Sequence, residues 1–389
     1  MWQSSLKYKL YTYSWNKWKR FSMLQNMQSI RKKQLQCWNV HITSFILIYR
    51  AYLKKEQMCD ILESLFKLSE QNNIDLTFFE YITTLMFLYY EQQKVDLAVL
   101  ECGLGGQQDS TNVIENTLIS IITSIGFDHC QILGNTLQEI AEQKAGIIKS
   151  KNPIVLGPNL YPLEVFLQKS KSNKIYVAKE NILDYNQENM NIARLSLSAL
   201  KENFYVFRNL DMNKVEEGIK QESKCRMEEL DKNVCPLFIK PFKIFFDVSH
   251  NTQAIEKVLI RIKHMFPNKR IRAVYGTSEQ KDASESIIYL AKNCTKINLI
   301  QALHFRAMNI QFLQKQIEFL KFSMLNLNDV FDQIINNGCV KSTLEHILNI
   351  SNQDEIILIC GSFFIQKEAR EFFNIKDEID NDEIYSLKY

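Results

Sequence analysis

The sequence has few of the features that mark secreted, membrane-spanning or zinc-binding proteins. Its 389 residues include no apolar run of the roughly 18 residues that a membrane-spanning helix needs, and no signal-peptide pattern. The nine cysteines are scattered and odd in number, and no Cys-x-x-Cys pair occurs among them. Neither a disulfide framework nor a zinc site is indicated. We therefore expect a protein of a reducing compartment, cytoplasmic and without a membrane partner.

Acidic residues and glycine are missing from the beginning of the chain. No Asp or Glu occurs from Met1 to Lys55, and the first glycine is Gly103. The same segment carries many lysines and arginines, a bias typical of a mitochondrial transit peptide or of a nucleic-acid-binding arm. A third interpretation, which we favour, is a degenerate or misread part of the first domain. The aromatic and basic residues form no recognisable nucleic-acid module, so we expect no nucleic-acid partner.

The bulk composition is that of an ordinary globular protein. Apolar residues make up 46% and charged residues 23%, and the net charge of +3 favours no particular partner. The length favours two domains. Apolar strand-like runs alternate with longer helical patterns, which predicts an α/β protein with mostly parallel sheets. We expect a monomer.

Polar side chains follow two apolar runs between residues 96 and 149. Leu97–Leu100 reads as a buried strand that ends at Glu101, just before a glycine-rich turn. Leu118–Ile125 ends in the same way at Gly126, Asp128 and His129. Ligands of open α/β sheets bind outside the carboxyl ends of the strands. Glu101 and His129 are therefore candidate catalytic residues, although either residue alone would most often have a structural role.

A helix that carries a lysine follows these two strand ends. Thr136 and Glu139 have the spacing of a capping box, so we expect a helix that begins there and presents Lys144. The combined spacing of an acid, an imidazole and an amine favours one site over three unrelated side chains. An ordinary surface lysine stays the alternative for Lys144.

This segment resembles the folylpolyglutamate synthase / dihydrofolate synthase family, ATP-dependent ligases that join glutamate to a folate or pteroate carboxylate. The resemblance rests on five motifs in order: Leu100–Gly106, Asp109–Asn112, Ile125–His129, Leu133–Thr136 and Gln143–Lys149. It implies a Mur ligase-like ATP- and folate-binding domain with a mostly parallel sheet over residues 1–222, degenerate over residues 1–75. A smaller, Rossmann-like α/β glutamate-ligase domain would follow over residues 223–389.

The resemblance also implies a metal site. In the family, the residues at the positions of Glu101 and His129 hold magnesium, and the lysine at the position of Lys144 is commonly carbamylated. Carbamylation turns an ammonium into an anionic oxygen ligand, which suits a hard cation such as Mg²⁺. The resemblance also allows a monovalent cation.

The phosphate-binding loop of the family is not recognisable in this chain. Family members carry Gly-Thr-Asn-Gly-Lys-Gly-Ser; here Tyr13–Lys19 takes its place, with Lys17 at the position of the phosphate-binding lysine and no glycine. Glycines let backbone N–H groups approach a phosphate closely, and a Trp side chain would obstruct that approach. Either the chain is a catalytically impaired pseudoenzyme, or this is not the N-terminus of the working protein.

The resemblance assigns binding roles in the first domain. Phe79 would lie beside the pterin pocket, although a core position is equally expected, and Asp109 and Asn112 would bind substrate. Asn189, predicted to lie before a helix over 192–201, would lie near the adenine or would cap that helix.

In the second domain, Arg226 belongs to a Cys-Arg-Met-Glu version of the family's Gly-Arg-x-Glu motif and would meet ATP phosphate. Asp247 and His250 follow a predicted strand over 242–246 and would bind nucleotide or glutamate. His250 could instead cap the next helix.

The implied reaction joins L-glutamate to a folate or dihydropteroate through an acyl phosphate formed from ATP. One enzymatic rival is a Mur-type peptidoglycan ligase, which shares the central fold. The choice between dihydropteroate and folate polyglutamate as substrate stays open.

Overall fold

The computed structural model describes residues 55–115, 117–149, 151–180, 183–220, 224–231, 241–278, 283–323 and 334–375. Lys17 and the predicted phosphate-loop segment lie outside these residues. The described residues fall into two compact units, residues 55–101 and residues 102–375. The predicted domain boundary between residues 222 and 223 stays a prediction.

The first unit contains two packed helices, α1 (Lys55–Gln71) and α2 (Phe78–Gln93). Thr77 begins α2 with a capping box in which its side chain accepts from the Glu80 N–H and Glu80 returns to the Thr77 backbone. Apolar side chains of both helices form one buried cluster, with Leu85 only 1% exposed. Residues 81–90, whose sequence pattern is that of an amphipathic helix, lie within α2.

The apolar run Leu97–Leu100 is not a strand. Leu97 and Val99 are 39% and 58% exposed, so the prediction of a buried strand leading to Glu101 is wrong. A strand exists only through hydrogen bonds to a neighbouring strand. None of the described residues forms a strand pair with this run.

The second unit begins with a small parallel sheet. Its strands, in the order β1-β2-β3, are β1 (Ser120–Ile122), β2 (Ile154–Leu156) and β3 (Ile175–Val177). The helices of this part are α3 (Cys130–Leu133), α4 (Leu137–Ala145), α5 (Leu163–Lys169), α6 (Tyr185–Asn203) and α7 (Met212–Ile219). β2 is buried on both faces, as expected for a central parallel strand. Just beyond it, a Cβ on Gly157 would overlap the carbonyl oxygen of Thr123.

A larger sheet follows, with strand order β4-β5-β9-β6-β7-β8 among the described residues. The strands are β4 (Glu228–Glu229), β5 (Lys243–Phe246), β6 (Arg270–Tyr275), β7 (Lys296–Gln301), β8 (Ile334–Cys339) and β9 (Glu355–Cys360). β4 pairs antiparallel to β5, and the remaining pairs are parallel.

Helices cover both faces of this sheet. They are α8 (Thr252–Met265), α9 (Ser284–Asn293), α10 (Ile310–Ser323), α11 (Val340–Ile350) and α12 (Phe363–Phe372). One apolar cluster joins α8, α9 and α10 to one face, and another joins α11 and α12 to the opposite face. Every residue of β9 is buried, because this strand lies between two neighbours and under both helix layers.

The predicted fold class, α/β with mostly parallel sheets, is confirmed. The sequence interpretation missed β4, which has two residues, and β8. The Asn-Asn-Gly run inside β8 disfavours a strand assignment, because these residues are depleted in strands. In the part of the chain that the structure describes, no helix has the length and apolar character to cross a bilayer.

Candidate functional site

A loop over residues 123–128 connects the end of β1 to His129. This residue has φ 51° and ψ 39°, a left-handed backbone conformation uncommon for a non-glycine residue, and it begins the short helix α3. Its side chain is 46% exposed. The neighbouring Asp128 accepts the His129 N–H at 3.0 Å, and its carboxylate lies 3.7 Å from Nε2 of His129. The strand end therefore presents a carboxylate and an imidazole together.

Two polar residues at the end of β5 face this pair. Nδ2 of Asn251 donates to Oδ2 of Asp128 at 3.1 Å, and Nε2 of His250 lies 3.4 Å from the same oxygen. The other ring nitrogen of His250, Nδ1, lies 3.1 Å from the Val248 carbonyl. A carbonyl oxygen can only accept, so in this contact Nδ1 is the donor. The loops that follow the carboxyl ends of β1 and β5 thus meet through Asp128.

The cap of α8 is Asn251, whose side chain accepts the Ala254 N–H at 2.9 Å. The alternative in which His250 caps this helix is therefore wrong. Sequence reasoning did not single out Asp128 or Asn251 as site residues. The signal was available, because each lies beside a histidine within a recognised motif.

Asp247 is almost completely buried, at 1% exposure. Its carboxylate accepts from the backbone N–H groups of Ser249 at 2.7 Å and Met227 at 2.8 Å, and from the Tyr185 hydroxyl at 3.0 Å. Burial, followed by the charge of Asp247 and this hydrogen bond, raises the pKa of Tyr185 well above its ordinary value. Asp247 therefore links β5 to the start of α6 and to the turn at Met227, and its nucleotide-binding role stays a prediction.

Arg226 lies at the tip of a tightly held turn. Cys225 and Met227 on either side both have φ 54°. Left-handed conformations cost free energy in L-residues, and such strain tends to be stored at functional sites. The Arg226 side chain is exposed, and its charge acts on the Tyr185 hydroxyl. The turn thus directs a cation outward close to the end of β5.

Two carboxylates hold this turn in place. Glu228 accepts the Cys225 N–H at 2.7 Å, as Asp247 does for Met227. Glu228 is itself paired with Arg370 of α12, whose side chain is only 6% exposed. Buried pairing of this kind fixes the position of the turn, and with it the base of the Arg226 side chain.

The glycine turn after Glu101 packs against the end of α4. The Gln107 N–H donates to the Gln143 carbonyl at 2.7 Å, and a Cβ on Gly106 would lie 2.8 Å from that carbonyl oxygen. Glycine is therefore required at position 106 for this close approach. The predicted capping box of α4 is confirmed, and Lys144 lies half-buried in its last turn. The turn and Lys144 are neighbours.

Asp109 and Asn112 both use their polar atoms inside this loop. Asp109 is buried and accepts the N–H groups of Leu104 at 2.8 Å and Thr111 at 3.0 Å. The Asn112 amide donates to the carbonyls of Gln107 and Gly146, both at 3.2 Å. These contacts give both residues a structural role, and direct substrate contact stays a prediction.

The remaining predicted residues are more dispersed. Asn189 is exposed on α6, which begins at Tyr185 and not at residue 192. Asp184 is the cap of this helix and accepts the Asn186 N–H at 2.9 Å, so a capping role for Asn189 is wrong. Phe79 is half-buried in the first turn of α2, and Glu101 is exposed at the end of the first unit.

The three predicted metal ligands belong to two different units, Glu101 to the first and His129 and Lys144 to the second. Within the described ranges there is no group of three or more His, Cys, Asp or Glu side chains suited to a metal ion. The predicted set contains two such side chains and a lysine. Its chemistry, a carboxylate, an imidazole and a carbamate, fits a hard divalent cation.

Two family models match consecutive parts of the chain. The Mur ligase middle domain matches residues 43–221, and the Mur ligase glutamate ligase domain matches residues 226–363. A dihydrofolate synthase/folylpolyglutamate synthase of Buchnera aphidicola is 29% identical over 331 residues, which is 79% of this chain and 73% of that protein. A folylpolyglutamate synthase of Lacticaseibacillus casei is 47% identical over 93 residues, covering 24% of this chain and 21% of its own.

Solved structures show the same fold. The Escherichia coli FolC structure in complex with ADP has a TM-score of 0.68 at 20% identity, covering 83% of this chain and 77% of its own. A bifunctional folylpolyglutamate synthase/dihydrofolate synthase of Yersinia pestis, complexed with AMPPNP and Mn ion, has a TM-score of 0.65 at 18% identity, covering 82% and 76%.

Proposed function

Because this chain is a member of the folylpolyglutamate synthase / dihydrofolate synthase family, we propose that it ligates L-glutamate to the carboxylate of a folate or dihydropteroate at the expense of ATP. An oxygen of that carboxylate attacks the γ-phosphorus of ATP and releases ADP. The glutamate amine then attacks the acyl phosphate carbon, forming the amide and releasing phosphate. The chain is thus a ligase that forms a C–N bond.

One observation carries this proposal: the polar ends of β1 and β5 are joined through Asp128. Parallel sheets bind ligands at the carboxyl ends of their strands. A ligation needs a phosphoryl donor, an acyl acceptor and an amine close together, because proximity supplies much of the rate. Two strand ends that meet, one with His129 and the other with His250, support a shared site for these groups.

The residues around these strand ends have distinct proposed roles. Arg226, exposed on a fixed turn, would pair with phosphate oxygens of ATP, with Asp247 and His250 beside it. Asn189 would lie near the adenine. Phe79, Asp109 and Asn112 would form or support the pterin side of the site. Lys17 retains its proposed contact with phosphate.

The relatives' complexes with ADP, and with AMPPNP and Mn ion, support ATP and a divalent cation as requirements of this chain. Glu101, His129 and carbamylated Lys144 would hold Mg²⁺. The cation would neutralise charge on the transferred phosphoryl group. Lys144 is only half-buried, so its amine is open to carbon dioxide. A monovalent cation, a monomeric state and a cytoplasmic location remain part of the proposal.

A catalytically impaired pseudoenzyme is not favoured, because relatives that match more than three quarters of the chain are named as synthases. A nucleic-acid-binding role has no support among the described residues.

The activity is tested with purified protein, ATP, Mg²⁺ and labelled glutamate, with dihydropteroate and a reduced folate as separate acceptors. We expect labelled product with at least one acceptor and equimolar release of ADP and phosphate. Arg226→Ala should raise the KM for ATP, whereas Arg208→Ala should not. Arg208 is a matched control because it is also exposed, and its guanidinium lies 5.1 Å from the Tyr205 ring centre. A chain that forms no product with either acceptor would refute the proposal.

The carbamate has its own test. Lys144→Ala should abolish ligation, and a small carboxylate such as acetate should restore part of it, because acetate can supply the missing anionic oxygen. Lys169→Ala, on the exposed end of α5, serves as the control. An acetate-insensitive loss would leave Lys144 with a structural role only.

A further inference from the structure

Two carboxylates beyond the strand ends contact both parts of the second unit, and Asp128 is the one that lies beside both histidines; the other, Asp247, is buried. We call residues 102–220 the first lobe and residues 224–375 the second lobe. Oδ1 of Asp128 accepts the N–H of His129 in the first lobe at 3.0 Å. Oδ2 accepts from Asn251 in the second lobe at 3.1 Å and lies 3.4 Å from Nε2 of His250. One side chain thus spans the meeting point of the lobes.

Asn251, which contacts Asp128 from the second lobe, is also the cap of α8. Asn251 uses Oδ1 to accept the Ala254 N–H of α8 and Nδ2 to reach Asp128. Its two amide atoms are therefore engaged on opposite sides, one in its own helix and one in the other lobe. Any movement of Asp128 relative to α8 must break this bond or disturb the cap.

Neighbouring contacts show that the first lobe packs closely against α8 of the second lobe, through polar side chains. A Cβ on Gly126 would overlap the Gln253 side chain in the first turn of α8, so the backbone of the first lobe lies directly against this helix. Further along α8, Lys257 pairs with Glu188 at 3.1 Å. Gln253 and Lys257 are four residues apart and lie on one face of the helix. The acids of the first lobe therefore meet polar and basic side chains of α8.

The Lys257–Glu188 pair and the contact of Asp128 lie in different places and therefore position different groups. The pair between Lys257 and Glu188 lies well inside α8 and joins one helix to another. The contact of Asp128 lies at the strand ends, beside His129 and His250. A small displacement at this point moves the two histidines relative to one another, and misplacement on the order of 1 Å can reduce catalysis about 100-fold.

We propose that Asp128 is a positioning residue that sets the register between the two strand ends, through its hydrogen bond to Asn251. The proposal rests on the proposed function, since the register matters for groups held by both lobes during ligation. Asp128 would act through Asn251 and His250 without touching substrate.

The test exchanges the two side chains. Asp128→Asn leaves one acceptor oxygen for two donors, the His129 N–H and the Asn251 amide. Asn251→Asp sets two carboxylates against each other while keeping an oxygen that can cap α8. The double variant restores the match with the hydrogen bond reversed. We expect each single variant to lower kcat about 10- to 100-fold with little change in the KM for ATP, and the double variant to recover most of that loss.

Two kinetic results of this exchange would overturn the positioning role of Asp128. A double variant as slow as the worse single variant, or a KM for ATP that rises in parallel with the loss of kcat, would overturn the positioning role. Urea unfolding of the same variants gives a readout independent of activity: the double variant should be more stable than the sum of the two single effects predicts. If the wild-type chain ligates no glutamate, the proposed function fails, while additive unfolding free energies would still refute the contact itself.

Discussion

The hydrogen bond between Tyr185 and Asp247 gives a sharp test of how the two lobes are joined. It connects the first turn of α6 to the end of β5, and the two partners are 62 positions apart in the sequence. Asp247 is 1% exposed and receives two further hydrogen bonds from backbone N–H groups. Removing the hydroxyl with Tyr185→Phe leaves one lone pair of a buried carboxylate unsatisfied. A hydrogen bond to a charged group contributes about 1.5–3 kcal/mol, and we expect a loss of this size.

A matched control exists in the first lobe. The Tyr176 hydroxyl also donates to a carboxylate, that of Glu202 at 2.7 Å, but Glu202 is 54% exposed. Water replaces the lost donor at that site, so Tyr176→Phe should change the free energy of unfolding much less than Tyr185→Phe does. The measurement is urea unfolding followed by far-ultraviolet circular dichroism. Tryptophan fluorescence is unsuitable because all four tryptophans precede residue 55.

The pH dependence of the free energy of unfolding tests the same hydrogen bond in a second way, by comparing the wild type with Tyr185→Phe. Burial, first, and then Asp247 raise the pKa of Tyr185 in the folded protein. An unfolded tyrosine ionises near pH 10, so above about pH 10 the unfolded chain loses this proton while the folded chain keeps it. The contribution of Tyr185 is therefore complete below about pH 10 and is lost as the pH rises towards the folded pKa. Above about pH 10, wild-type stability should therefore fall more steeply with pH than that of Tyr185→Phe.

Equal effects of Tyr185→Phe and Tyr176→Phe at neutral pH, or parallel pH curves for wild type and Tyr185→Phe, would refute this reasoning. The first result would mean that Asp247 is hydrated in solution. The second would mean that the Tyr185 hydroxyl ionises as freely as in the unfolded chain.

Two further pairs of variants test the packing of the second unit. Gly157→Ala should destabilise it by about 1–3 kcal/mol, because the new methyl group meets a backbone carbonyl that cannot move away easily. Gly218→Ala, on exposed α7 with nothing within 4 Å of the new Cβ, should instead stabilise by up to about 1 kcal/mol; thermal unfolding distinguishes the signs. Arg370→Ala should cost about 3–5 kcal/mol because it leaves Glu228 without its buried partner, whereas Lys367→Ala, from an exposed pair on the same helix, should cost less than about 0.5 kcal/mol. Denaturant unfolding of both variants would contradict this if the two costs were alike.

Features that depend on residues close together in the chain were available from the sequence. The capping box of Thr136 and Glu139 was predicted and is present, because its partners lie three residues apart. The alternation of apolar runs and helical patterns predicted the α/β class for the same reason. The five motifs, each local, were enough to indicate the family.

Features that depend on distant partners were decided only by the tertiary structure. The apolar run Leu97–Leu100 has the composition of a strand but no strand partner among the described residues, and composition cannot supply one. Asn189 reads as a helix start, yet Asp184 accepts the N–H groups at that end and the helix begins earlier.

The meeting of Asp128 with Asn251 joins residues 123 positions apart, and that of Glu228 with Arg370 joins residues 142 apart. No local pattern encodes such pairs, because they form only when packing of the sheets and helices brings the two side chains together. The sequence by itself determined which chemical groups the strand ends carry. The tertiary structure decided which of them meet.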